Sequence, residues 1–456
     1  MNTDVVVLAA GKGTRMRSEQ AKVLHTLAGK SLLQHVLDTA HSINPREIAV
    51  VVGHQAEQVQ ASVAAGPKWV LQNEQRGTGH AVQLGAAALG QDGVILVLYG
   101  DVPLVTQDTL ARTVEAAKKG AVALVTAHFK DPAQLGRIVR DDGGNIAAIV
   151  EFKDADDTQR QINEINSGIL AAPATLLTPW LAALQPNNAQ GELYLTDVIA
   201  MAVADGVTVT GIEARAPVEV TGVNDRAQLA ALERVYQQNQ AAQLMAQGVS
   251  LADPNRFDLR GRLIAGEDCF IDVNVVFSGE VVLGRGVRIG PGAVIADSVL
   301  GDHVEVHAHT VVEGAAVAAE CSLGPFARIR PGTRLDSGVK IGNFVEVKKS
   351  HLGAGTKASH LAYLGDATIG KECNIGAGTV TCNYDGISKH PTTIGDDVFV
   401  GTNSTLVAPL HIDSGAFIAA GSSITTKVSS GELAVGRGKQ RNIKGWVRPD
   451  KRKGKQ

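Results

Sequence analysis

"LGPFARIRPGTRLDSGVKIGNFVEV", Leu323 to Val347, decides the fold of the second half of this chain. Leu323, Ile329, Leu335, Ile341 and Val347 recur every six residues, and the spacing returns in Ile394, Val400, Leu406, Ile412, Ile418 and Ile424. A helix repeats at 3.6 residues and a strand at two, so a period of six is neither. It marks a parallel β-helix, in which each hexad supplies one short strand and one turn and the aliphatic points into the prism. Glycine follows the inward residue at Gly284, Gly290, Gly324, Gly342, Gly395 and Gly401. Of the 50 glycines, 29 fall in the last 206 residues and 21 in the first 250, while aromatics are 4%. The glycine-rich architecture therefore begins near residue 250.

Just before it, "RAQLAALERVYQQNQAAQLMAQG", Arg226 to Gly248, lacks proline and carries Leu229, Leu232, Val235 and Tyr236 at helical spacing. It reads as a helical connector that stops at Gly248. Earlier still, the apolar runs "DVVVLAA", "IAVVVG", "VILVLYGD" and "AVALVT" alternate with the helical patterns "SLLQHVLDTAHSI", "GHAVQLGAAALG" and "QDTLARTVEAAKK". Such alternation predicts a parallel sheet with covered faces. Ligands then bind beyond the carboxyl ends of the strands, where Gly11–Arg15, Gly53–His54 and Gly100–Asp101 fall. The expected organisation is an α/β Rossmann-like domain over 1–225, a helical linker over 226–248, and a β-helix with a basic tail over 249–456.

Composition narrows the function classes. A formal net charge of −3 argues against nucleic-acid binding. Cys269, Cys321, Cys373 and Cys382 form no C-x-x-C pair, which suits reduced thiols rather than a disulfide framework or zinc site. No apolar run approaches a membrane span, and no secretory signal is visible, so the expected location is cytoplasmic.

"VLAAGKGTRM", Val7 to Met16, follows the first predicted strand. A dinucleotide fingerprint fails because Met16 holds the third glycine place, and G-x-x-x-x-G-K-[ST] is absent. What remains is a turn whose N–H groups can cradle phosphate, with Lys12, Arg15 and Lys22 near it, or a plain glycine turn with solvated charges. In "LYGDVPL", Asp101 lies just past a buried run, suited to a divalent ion bridging phosphates or to a turn. In "EQRGTGHA", Gly77 and Thr78 open a helix where a base or phosphate can be read.

In the second half, Arg330 and Lys348 stand 18 residues apart with no slip in the repeat. In the left-handed β-helix family, which this repeat resembles, three hexads make one coil, so these cations would stack and repel unless an anion such as phosphate lies between them. The bland alternative is a solvated pair. "CNYDGISKHP", Cys382 to Pro391, falls where the repeat breaks between Ile375 and Ile394, as a tolerated loop or as part of a site. "SHLAYLGD" brings His360 and Tyr363, and a histidine titrates in the range that acyl transfer to an amine requires. His307 and His309 in "VHAHT" read as surface residues of one strand face.

"LAAGKGTRM" with Lys22, "GTGHA", "YGDVPL", "EINSGIL" and "GVNDR" resemble the sugar-phosphate nucleotidyltransferase family from Val5 to about Arg226. With a hexapeptide β-helix following, the whole chain resembles the bacterial family that joins N-acetylglucosamine-1-phosphate uridyltransferase to glucosamine-1-phosphate N-acetyltransferase. For the first half the resemblance implies UMP transfer from UTP to N-acetylglucosamine 1-phosphate. Leu8, Ala9, Ala10, Gly11, Tyr99 and Gly100 would line the UTP site, and Gln72, Gly77 and Thr78 would select uracil. Arg15 and Lys22 would act on the phosphates, Asp101 and Asn224 would hold Mg²⁺, and Gly136, Glu151 and Asn166 would bind the sugar. The family usually has Pro-Lys where this chain has Ala21-Lys22, which implies altered local rigidity with the chemistry kept.

For the second half it implies a left-handed β-helix that packs as a homotrimer and acetylates glucosamine 1-phosphate with acetyl-coenzyme A. His360 would be the general base. Arg330, Lys348, Tyr363, Asn374 and Lys389 would bind the glucosamine phosphate. Ala377, Asn383, Tyr384, Thr402 (serine in many members), Ala420 and Arg437 would bind acetyl-coenzyme A, with the basic tail from Arg437 solvated or screening its phosphates. The two steps would make UDP-N-acetylglucosamine for cell-wall precursors. Alternatives are a nucleotidyltransferase with a purely structural β-helix, and a non-enzymatic scaffold.

Overall fold

The computed structural model describes residues 1–63, 66–188 and 190–448, so the tail beyond 448 lies outside the described residues. The chain divides into two compact units, Met1–Tyr236 and Gln237–Gln456. In the first, the sheet runs Val209–Glu213, Val122–His128, Glu164–Pro173, Val94–Tyr99, Thr3–Ala9, Glu47–Val52, Lys68–Leu71. Val5, Val6 and Val7 are fully buried because helices cover both faces of the sheet. Helix Leu32–Ser42 starts where the Ser31 hydroxyl accepts from the Gln34 amide, and Gln107–Lys118 where Thr106 accepts from Thr109.

The expected all-parallel sheet is corrected at three of its strands. Glu164–Pro173 runs antiparallel to Val94–Tyr99, to Val122–His128 and, at Ile165, to Arg137–Arg140, which itself pairs antiparallel with Ile146–Val150. A parallel return needs a long crossover, usually a helix. Here the chain between Val122–His128 and Glu164–Pro173 holds a hairpin, Arg137–Arg140 with Ile146–Val150, and a four-residue helix, Asp157–Arg160. The remaining parallel pairs place Leu8 beside Tyr99, and Val52 beside Ala9 and Leu71, so their carboxyl ends share one edge.

The helix Arg226–Ala246 crosses the division between units. Leu232 packs in the first unit with Met16, Leu27, Leu32 and Val223, whereas Ala241 and Leu244 belong to the core of the second. It is thus core-forming at both ends, more than a connector lying on a surface. Among the described residues no helix is long and apolar enough to cross a membrane.

The second unit is a parallel β-helix. Ile329 stacks on Val347, and Val347 on Leu364, so a coil takes 18 or 17 residues. The shorter coils contain a five-residue side, as from Ile295 to Leu300, Val312 to Val317, Val347 to Leu352 and Leu364 to Ile369, with every one of these residues buried. Each such side turns on a residue of positive φ: Asp297 (45°), Gly314 (54°), Lys349 (45°) and Asp366 (49°). His307 and His309 follow the strand Glu305–Val306 and occupy a corner, not the strand face expected. His307 Nε2 meets Ser322 Oγ at 2.9 Å, and His309 stacks on Phe326 at 5.2 Å.

The repeat also persists one hexad further than its aliphatics indicate. Thr381 is fully buried at the inward position six residues after Ile375, and the insertion leaves the prism only after Cys382. There the Thr381 hydroxyl, in place of a backbone carbonyl, accepts from the Gly365 amide at 2.8 Å. Thr381→Val keeps the shape and strands that buried N–H. It should lower the stability of the β-helix by about 1–3 kcal/mol, measured by urea unfolding.

Candidate active sites

The first site lies at the shared strand edge, in a cleft of about 240 Å³ whose walls include Ala10, Gly11, Lys22, Gln72, Thr78 and Asp101. After Ala9 the chain forms a short 3₁₀ turn, Thr14–Met16, entered through Gly13 at φ 58°. A Cβ on Gly13 would sit 2.5 Å from Lys22 Cβ, so only glycine lets the two loops close on each other. Ala21, with φ −55°, starts the turn Lys22–Leu24 at an angle that proline also holds, so alanine preserves the local shape.

Lys22 Nζ bonds the Asp101 carboxylate and lies 3.4 Å from Asn224 Oδ1, which also accepts from Arg15 Nη2 at 2.9 Å. Asn224 is steadied where its amide donates to Gln228 Oε1 at 2.7 Å, and the adjoining Val223 amide donates to the Asp101 carbonyl at 2.9 Å. Two oxygens, Asp101 and Asn224, thus converge on a cationic centre. Gln72 is buried, its Nε2 3.3 Å from the Gly77 carbonyl. Gly77 has φ 110°, and a Cβ there would meet the Leu193 carbonyl at 2.6 Å. The Thr78 hydroxyl accepts from the Leu195 amide at 3.2 Å, so it braces the loop as well as facing the cleft. Sequence reasoning missed Gln75, whose side chain donates to the Ala10 carbonyl at 2.6 Å and ties down the glycine loop that follows.

A neighbouring pocket of about 440 Å³ includes Thr78, Glu151, Glu192 and Tyr194. Gly136, Glu151 and Asn166 converge beside it. The Asn166 amide donates to the Gly136 carbonyl at 2.9 Å, and a Cβ on Gly136 would lie 3.4 Å from the Glu151 carboxylate. Burial, aided by Asp154 and Asp197, pushes the Glu151 carboxyl above its ordinary range. Tyr99 is likewise raised by burial, then by Glu151 and Asp101.

In the β-helix, Ile329 pairs with Val347, which places Arg330 and Lys348 at matching positions of adjacent coils as expected from the sequence. Arg330 Nη1 bonds Glu346 at 2.7 Å, so an internal carboxylate partly offsets the cations. The Lys348 ammonium beside Lys389 holds it below the usual lysine range. Tyr363 stacks on Glu346 in register. Asn374 stands apart from this group, on the outer face of another sheet between Lys357 and Phe399.

Ala377, Thr402, Ala420 and Arg437 run along one corner. The Asn403 amide donates to Ala377 at 2.7 Å, the Gly421 amide to Thr402 at 2.8 Å, and Arg437 bonds the Ala420 carbonyl. His360 ends a strand whose following residue, Leu361, accepts from the Gly378 amide at 3.1 Å, so it belongs to that same corner. Its Nδ1 lies 2.6 Å from Asn343 Oδ1, a neighbour the sequence reading missed. Asn383 is buried and bonds Asp366 at the root of the insertion. Tyr384 is exposed and bridges Lys389 across a small hairpin, which Asp385 locks by accepting from His390 at 2.7 Å.

A nucleotide-type sheet followed by a hexapeptide prism defines a two-headed transferase. Residues 5–250 match the MobA-like NTP transferase domain, residues 266–297 the bacterial transferase hexapeptide (six repeats), and residues 391–426 the hexapeptide repeat of succinyl-transferase. The bifunctional protein GlmU of Marinobacter nauticus is 55% identical over 98% of this chain and 99% of its own length. Those of Alkalilimnicola ehrlichii and Pseudomonas entomophila are each 53% identical, over 98% and 99% of this chain and 97% and 99% of theirs. The chain belongs to the GlmU family and is a bifunctional enzyme, a uridyltransferase joined to an acetyltransferase.

The raised Glu151 carboxyl makes a linked forecast. A carboxyl whose folded value lies above its unfolded one loses stability as pH rises through the interval between them. Glu151→Gln should therefore melt a few degrees higher than the parent at pH 7, with the difference gone near about pH 4. Where Glu151 binds the sugar, as the resemblance implies, the same change should raise KM for the sugar phosphate about tenfold or more by weakening a charge-assisted contact. Melting curves at the two pH values and steady-state kinetics check both.

Proposed function

We propose that the β-helix acetylates glucosamine 1-phosphate with acetyl-coenzyme A, and that the first unit then transfers UMP from UTP to N-acetylglucosamine 1-phosphate, giving UDP-N-acetylglucosamine. The observation that carries the uridyl step is the gathering of Lys22, Arg15, Asp101 and Asn224 at one cleft. In that step a sugar-phosphate oxygen attacks the α-phosphorus in line. The new P–O bond forms as the bond to the β-phosphate breaks, and pyrophosphate leaves. Such chemistry needs positioning and charge neutralisation more than a covalent intermediate. Arg15 and Lys22 neutralise the phosphates, Gln72 and the Gly77–Thr78 turn receive uracil, and Gly136, Glu151 and Asn166 hold the sugar.

Asp101 and Asn224 fit a magnesium ion. They offer two hard oxygens that already surround the Lys22 ammonium, and magnesium suits a site of one or two protein oxygens completed by phosphates and water. Bound there, it supplies further neutralisation of the triphosphate.

In acetyl transfer the His360 ring takes the proton from the attacking amine. The C–N bond forms, the C–S bond breaks, and the proton passes to the departing coenzyme A thiolate. Arg330, Lys348, Lys389 and Tyr363 hold the substrate phosphate, with Asn374 toward the sugar. Ala377, Asn383, Tyr384, Thr402, Ala420 and Arg437 receive acetyl-coenzyme A. The proposal includes a cytoplasmic homotrimer. Phe326, Phe344 and Leu361, about half exposed in a column at the His360 corner, are apolar surface that a neighbouring copy would cover.

The test follows free thiol from acetyl-coenzyme A and glucosamine 1-phosphate. Sugar-dependent release is expected. No release, with pyrophosphate still formed from UTP and the acetylated sugar phosphate, would leave a uridyltransferase with a structural prism. His360→Ala should abolish thiol release and spare uridyl transfer. Asp101→Ala should do the reverse, lowering pyrophosphate formation by about 10²-fold or more while circular dichroism stays unchanged.

A further inference from the structure

Every strand of the β-helix sheet that carries His360 is two residues long except two, Lys340–Asn343 and Lys357–His360, which are four. These two lie on adjacent coils and stay in register to their ends, where Asn343 sits directly against His360. Close approach is enforced just before that point: a Cβ on Gly342 would fall 1.9 Å from the Ser359 carbonyl. At the end of this pairing, Asn343 Oδ1 and His360 Nδ1 are 2.6 Å apart.

We propose that Asn343 is the positioning residue of acetyl transfer. Its amide oxygen accepts the Nδ1–H of His360, which fixes the tautomer and leaves the Nε2 lone pair to receive the amine proton. The inference rests on the reading of His360 as the base. An exposed imidazole otherwise divides its time between two tautomers and several rotamers, and only one combination presents a free Nε2. The asparagine is neutral, so it orients the ring without adding charge. The charged groups on the two strands are Lys340 and Lys357, stacked in register three residues back, and the coil above contributes Asn374 at that level. Both partners are held by backbone pairing. The constraint is therefore present before substrate arrives.

Three variants test this, with His360→Ala as the reference. Asn343→Leu keeps the size and removes the acceptor. It should lower kcat for acetyl transfer about tenfold or more, a part of the 10²–10⁴ that a positioned base supplies, with KM for glucosamine 1-phosphate within about twofold. Asn343→Asp restores the acceptor and adds a charge that favours the protonated ring. It should recover much of kcat at high pH and move the acidic limb of the kcat/KM profile upward. Asn343→Ser, too short to reach, should behave as the leucine variant. A melting transition of the β-helix equal to that of the parent separates positioning from folding. Unchanged kcat in Asn343→Leu, or an acidic limb unmoved in Asn343→Asp, overturns the proposal. Full acetyl transfer by His360→Ala would instead overturn the base assignment on which it rests.

Discussion

Parallel pairing in register is the constraint on which both units depend. In the first, Leu8 beside Tyr99 and Ala9 beside Val52 bring the ends of successive strands to one edge. The residues proposed to handle the nucleotide phosphates then hang on loops leaving that edge. In the second, pairing repeats from coil to coil, so a residue's neighbours lie 17 or 18 positions away rather than nearby in sequence. Arg330 with Lys348 and Asn343 with His360 are both products of that rule. Chemistry is thus written at intervals set by backbone spacing.

Both sites also keep internal counter-ions. Lys22 is held by Asp101 and Asn224, and Arg330 by Glu346. A buried or half-buried cation without a partner is costly, and these carboxylates remove that cost in the free protein. Under the proposed function, substrate phosphate would compete with an anion already in place. A doubly charged phosphate would do so better than a neutral sugar or a carboxylate, which would bias each site toward phosphorylated ligands. Glu151 is the opposite case: burial desolvates its carboxyl, Asp154 and Asp197 lie near it, the Thr196 hydroxyl donates to it at 3.4 Å, and among the described residues it forms no salt bridge.

How much of this was legible in the sequence follows from what each signal measures. The six-residue period was readable because the inward residues are aliphatic and evenly spaced. The five-residue sides were passed over because their only mark is a single spacing of five between inward aliphatics, and Thr381 was hidden because a threonine reads as polar although its hydroxyl replaces a carbonyl. The antiparallel strand Glu164–Pro173 escaped for another reason: its run "GILAAP" is buried on both faces and looks the same in either direction. The glycine loop after the first strand, Lys22, Asp101 and the paired cations were legible because charge beside glycine stands out from an apolar background. Asn343 was not, although a signal existed. The short side from Val347 to Leu352 makes that coil 17 residues long, and 17 positions before His360 is Asn343.

Coil spacing also bears on the phosphate site proposed for the prism. Paired strands lie 4.7–4.9 Å apart, which is the offset between the backbones that carry Arg330 and Lys348. At that separation two unit charges repel by about 3 kcal/mol for an effective dielectric of about 20. Under the proposed function, one phosphate placed between them would give each cation its own oxygen and turn the repulsion into two attractions. Lys389, arriving from the insertion hairpin and already depressed by Lys348, adds a third donor to the same place. The hairpin's Asp385–His390 lock therefore matters to the cations and not only to the loop. A solenoid without the insertion would present two stacked charges; with it, the same backbone presents a three-sided cradle.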